Sequence, residues 1–64
     1  MNEFDLKIIE LVSIGKTNAE IADDIGYSEV NVKKRLQKLF KNFNVKNRSS
    51  LAYIWLSRKN KPTD

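Results

Sequence analysis

The sequence predicts an all-α domain of four helices, on three observations. Apolar residues recur at helical spacing in four separate stretches. Each stretch follows a residue suited to cap a helix N-terminus: Asn2, Thr17, Ser28 and Asn47. The first three stretches are followed by Gly15, Gly26 and Asn44, residue types that tolerate the left-handed conformation in which many helices end.

Helix 1 is expected from about Glu3 to Ile14. Asn2 is its N-cap, and Asp5 three residues on makes an Asn-x-x-Asp variant of the capping box. Phe4, Ile8, Leu11 and Val12 form its apolar stripe, which Ile9 widens. Helix 2 has the clearest start signal: Thr17-Asn18-Ala19-Glu20 is a Thr-x-x-Glu capping box. It opens a short helix, Asn18 to about Ile25, with Ala19, Ile21, Ala22 and Ile25 expected inside and Ala22 small enough to admit a neighbouring helix closely.

Helix 3 spans Ser28 to Phe43 and has two incompatible faces. Val32, Leu36, Leu39 and Phe43 share a narrow arc that wants a core. Opposite lie Val30, Lys34, Gln37, Lys38 and Lys41, flanked by Lys33 and Asn31. The single acid is Glu29, in the first turn where the helix dipole favours it. A solvated face normally mixes signs; a one-signed face suits a polyanion, and a helix fits the major groove of B-DNA. A merely solubilising lysine face is the alternative. Asn44 should end this helix, with Val45 folding back onto the core.

Asn47 caps helix 4, about Arg48 to Ser57, which carries six successive apolar or aromatic residues from Leu51 to Leu56. Leu51, Ile54 and Trp55 make one stripe. Ala52, Tyr53 and Leu56 are surplus to it and suggest a partner. The stretch 59–64 holds no apolar residue and contains Pro62, so it is expected to be a flexible basic tail beyond a domain of residues 1–58.

At 64 residues the chain is one domain. It has no cysteine and no histidine, which removes disulfides, thiolate metal sites, the commonest general base and the commonest zinc ligand. A hydrolase would have to work with Asp, Glu, Lys and Ser alone, in a chain too short to wall off a pocket. Neither enzymatic activity nor a cofactor or metal is expected. No apolar run approaches the roughly 18 residues of a membrane span, and no signal peptide is visible, so a cytoplasmic location is expected. The net charge of +4 is unevenly spread: residues 1–27 carry −4 and residues 28–64 carry +8. An acidic half beside a basic half is the footprint of a nucleic-acid reader.

A capped two-turn helix, a turn with Gly26 and a second capped helix is the signature of helix-turn-helix. An ordinary αα-hairpin has the same outline. The basic face of helix 3 favours the DNA-binding form.

Gly15-x-x-Asn18-x-Glu20-Ile21-Ala22-x-x-Ile25-x-x-Ser28-x-x-x-Val32-Lys33, followed by Val45-x-Asn47-Arg48, resembles the LuxR/GerE-type helix-turn-helix of bacterial transcription regulators. The resemblance covers about residues 4–56 and is nearest to the stand-alone GerE-like members. Three segments depart from the pattern. Met1 to Asp5 stand where Leu-Thr-x-Arg-Glu is usual, Asn31 where Thr precedes Val-Lys, and Asn42-Phe43-Asn44 where Lys-Leu-Gly follows helix 3.

The resemblance implies a three-helix core plus a C-terminal dimerisation helix, with helix 3 as recognition helix. Lys33, Lys34 and Gln37 would face bases; Asn31, Lys38 and Lys41 would meet phosphates. Helix 4 would pair two copies through Ala52, Tyr53 and Leu56, with Trp55 at the boundary between core and interface. Double-stranded DNA, a second copy and RNA polymerase are the partners this implies. Two other readings remain: a small module that antagonises another LuxR-type regulator through helix 4, and a fragment resembling region 4 of a sigma factor.

Overall fold

A computed structural model describes residues 2–59, and side chains through residue 58. Four helices follow one another: α1 (Glu3–Ser13), α2 (Asn18–Ile25), α3 (Glu29–Asn42) and α4 (Arg48–Lys59). No strand occurs among the described residues. Helix α1 packs against all three others and α2 against α3.

The caps explain where each helix starts. The Asn2 side-chain oxygen accepts from the Asp5 backbone N–H at 2.8 Å. The Thr17 hydroxyl accepts from the Glu20 N–H at 3.2 Å, and Glu20 accepts in return from the Thr17 N–H at 2.9 Å. Ser28 accepts from the Asn31 N–H at 3.1 Å, and Asn47 from the Ser50 N–H at 2.8 Å. Each bond satisfies an orphan donor of a first turn.

The stops are equally local. Gly15 (φ 89°), Gly26 (φ 74°) and Asn44 (φ 56°) are left-handed. After each, the next residue's N–H reaches back five residues: Lys16 to Leu11 at 3.0 Å, Tyr27 to Ala22 at 3.0 Å, Val45 to Phe40 at 2.9 Å. With Gly15 to Val12 and Asn44 to Lys41, α1 and α3 end in complete Schellman motifs. Asn44 does this where its side chain costs some strain, since Asn is among the few non-glycine residues that enter this region readily.

One core lies between the helices. Ile8, Ile9, Leu11 and Val12 of α1, Ile21 and Ala22 of α2, Val32, Leu36 and Leu39 of α3, and Leu51 of α4 are buried. Burying each large side chain contributes about 1.5–3 kcal/mol. Ile25, Tyr27, Phe40, Phe43, Val45, Ala52 and Trp55 pack around this centre, partly covered.

Several expectations need correction. Helix 1 stops at Ser13, and Ile14 is its C-cap, exposed to solvent. Phe4 is 44% exposed instead of buried. It sits in the first turn, beside a surface depression shared with Asp24 and Ile25 of α2, and its ring lies tilted against Tyr27 with centroids 4.9 Å apart. Ile9, expected only at the edge of the stripe, is fully buried because α1 is covered on several sides. Ala19, expected inside, is exposed: it lies in the first turn of α2, while Ile21 and Ala22 further on are buried. Helix 4 continues to Lys59, two residues past Ser57, so the stretch expected as a tail starts inside the helix. Residues 60–64 of that tail lie outside the described residues.

Candidate nucleic-acid interface

Helix α3 carries the candidate site because its sequence sorts by face. Val32, Leu36 and Leu39 pin one side to the core. The rest of the helix then has one orientation available. Asn31, Lys33, Lys34, Gln37, Lys38 and Lys41 are all exposed, together with Val30 at 62%. Val30, Lys34, Gln37 and Lys41 form a line within about 60° of arc, roughly 16 Å long, at 100° and 1.5 Å per residue. Lys33 lies on one side of that line, and Lys38 and Asn31 on the other.

Among the described residues, none of these lysines is held by an acid, so their charges face outward unpaired by protein. The backbone N–H of Asn31 is consumed by the Ser28 cap, and its side chain stays exposed beside the helix start. Phe40, partly covered, lies with Lys34, Gln37, Lys38 and Lys41 around a shallow depression on the same helix.

The arginines behave differently. Arg35 lies between the two faces and turns to α1, its guanidinium nitrogen 3.7 Å from an Asp5 carboxylate oxygen. That oxygen is buried and, among the described residues, has no hydrogen-bond partner, so the contact is ionic. The neighbouring Tyr27 side chain first, and the charge of Asp5 second, push the guanidinium further above its ordinary range. Arg48, in the first turn of α4, donates to the Asn18 side-chain oxygen at 2.7 Å and to the Lys16 carbonyl at 2.8 Å. Sequence reasoning missed both roles. Asp5 and Arg35 are 30 residues apart, and no local pattern joins them. The Asn47-Arg48 pair was visible, but its target in the α1–α2 turn was not.

The opening of the helix-turn-helix unit is electrostatically tuned at Glu20. The hydrogen bond from the Thr17 N–H first, and the neighbouring Thr17 side chain second, hold the carboxyl below its ordinary value of 4.5 against the effect of burial, with the Lys16 charge adding to them. An ionised carboxylate in the first turn of α2 also suits the helix dipole.

On α4, the four residues expected at a pairing surface divide. Tyr53 is 72% exposed and Leu56 40%. Ala52 and Trp55 are half-buried and pack against the core. The Trp55 indole nitrogen is buried and, among the described residues, lacks a hydrogen-bond partner. Leu51 is fully buried, and Ile54 is partly covered.

A basic helix face, backed by a core and preceded by a capped short helix and a glycine turn, is the geometry in which a helix can enter a DNA groove. A family model, GerE, described as bacterial regulatory proteins of the luxR family, matches residues 5–55. Comparison with curated proteins and with solved structures gives no match.

Proposed function

Since the chain belongs to the luxR family of bacterial regulatory proteins, which bind DNA and regulate transcription, we propose that α3 is the helix that reads the major groove. The observation that carries this is the exposed face of α3, whose charged side chains Lys33, Lys34, Lys38 and Lys41 are all basic and lie opposite the buried Val32, Leu36 and Leu39. Lys33, Lys34 and Gln37 face the bases in this reading. Asn31, Lys38 and Lys41 hold the flanking phosphates. Residues 1–58 form the DNA-binding domain.

Two copies act together through α4, with Tyr53 and Leu56 at the centre of the contact and Ala52 and Trp55 behind them. The exposure of a tyrosine and a leucine on one helix supports this pairing. The same surface would serve the rival role of antagonist to a related regulator, but that role leaves the basic face of α3 without a use. No helix among the described residues is long and apolar enough to cross a membrane. The proposed partner, chromosomal DNA, makes the cytoplasm the working compartment, with RNA polymerase as a further partner at promoters.

Selection of bound sequences from a random DNA pool tests the reading. Enrichment of a sequence with two related half-sites is the expected result. No enrichment, and no shift of random duplex in a gel at low salt, would overturn it.

A further inference from the structure

We propose that Val30 reads thymine, packing its two methyl groups against the C5 methyl of a T·A pair in the major groove. This rests on the docking of α3 proposed above and adds to it a contact of different chemistry. Val30 is 62% exposed, in the first turn of α3 just after the Ser28 cap. It begins the line that continues through Lys34 and Gln37. The N-terminal residues of a recognition helix are the ones placed closest to base edges.

Other large apolar side chains are exposed among the described residues, in different places. Phe4 lies against Tyr27, Ile14 caps α1, and Tyr53 and Leu56 lie on α4. Val30 is the one within the basic face. Glu29, the acid beside it in sequence, projects about 100° round the helix and does not share its direction.

Valine has no donor and no acceptor. It gains nothing from a phosphate, from the O6/N7 edge of guanine or from the amino groups of adenine and cytosine. The thymine methyl is the apolar group that standard bases present in the major groove. A β-branched side chain held by a helix has one dominant rotamer, so little side-chain entropy is lost on contact. Lysine at the same point would read nothing of this methyl. Discrimination between T·A and C·G at one position then follows without a hydrogen bond.

The test replaces thymine by uracil, which removes that methyl and nothing else. A duplex selected from a random pool by the wild-type protein is synthesised with each thymine in turn changed to uracil. It is titrated with the wild type and with Val30→Ser, a variant of similar helix propensity. Expected is one thymine per half-site whose change to uracil weakens wild-type binding by about fourfold, the worth of one buried methyl group, and leaves Val30→Ser unaffected. Uracil that weakens both proteins equally would assign the methyl to another side chain and overturn the inference. So would uracil that weakens neither. In both cases the tight binding of the wild type to its selected duplex leaves the docking of α3 standing. Failure to select any duplex would instead remove the docking itself, and the inference with it.

Discussion

The guanidinium of Arg48 donates to the side-chain oxygen of Asn18 at 2.7 Å, across 30 residues of sequence. Its second nitrogen meets the Lys16 carbonyl at 2.8 Å. One side chain at the start of α4 thus fixes the turn from which α2 departs. Arg48→Ala should cost about 1.5–3 kcal/mol, the range for hydrogen bonds to a charged group. Arg48→Lys should recover less than half, because an ammonium lacks the planar fork. Urea midpoints of the three proteins check this. Wild-type stability in the lysine variant would show that charge suffices without the fork.

The capping box of α2 makes its own prediction. Thr17→Ala should lower stability by about 1 kcal/mol, read as a shift in urea midpoint at constant slope. An unmoved midpoint would mean that Thr17 contributes nothing in solution.

Glu20 adds a pH dependence with a definite sign. Its folded-state carboxyl lies below the ordinary 4.5 because it accepts from Thr17. The stability it supplies is therefore complete above that value and disappears as pH falls through the lower folded value. Glu20→Gln should differ from the wild type by a constant amount from about pH 7 to about pH 5, and the difference should change only in more acid solution. A difference that already varies near neutral pH would contradict the assignment.

Pairing through α4 can be read by sedimentation on a DNA carrying two half-sites. The wild type should load as two copies, and Leu56→Asp should load singly or not at all. The contact is expected to be small, so free protein should associate weakly. If the wild type binds such a DNA as a monomer, α4 is not a pairing surface.

Positioning and reading on α3 should separate by salt and by sequence. Lys38→Ala and Lys41→Ala should weaken binding to all DNA alike, each lowering the slope of log K against log salt by about 0.9. Gln37→Ala should cost about 1–3 kcal/mol on the selected site and little on random duplex. An equal loss on the two would make Gln37 a backbone contact.

What the sequence made legible is mostly local chemistry. Asn2, Thr17, Ser28 and Asn47 cap as their hydroxyl or carboxamide groups require, within three residues of their partners. Gly15, Gly26 and Asn44 turn left-handed for equally local reasons. The faces of α3 were legible because a strong contrast between apolar and basic residues runs over 14 residues. Phe4 and Ala19 were misplaced because periodicity marks a face of a helix and not how completely its first turn is covered. The two arginine contacts depend on how α1 crosses α3 and where α4 starts, which no single stretch encodes.

The division of labour between the two basic residue types has a chemical consequence. Arg35 is paired with Asp5, Arg48 bonds Asn18 and the Lys16 carbonyl, and Arg58 lies over the Phe43 ring at 5.1 Å. These guanidinium groups make contacts within the fold, while the primary amines of Lys33, Lys34, Lys38 and Lys41 are exposed on α3. Acylation of those amines would erase the outward charge one unit at a time. Among the described residues, the four helix caps, the left-handed turns and the Arg35–Asp5 ion pair use no ammonium group of α3, so they would stay intact.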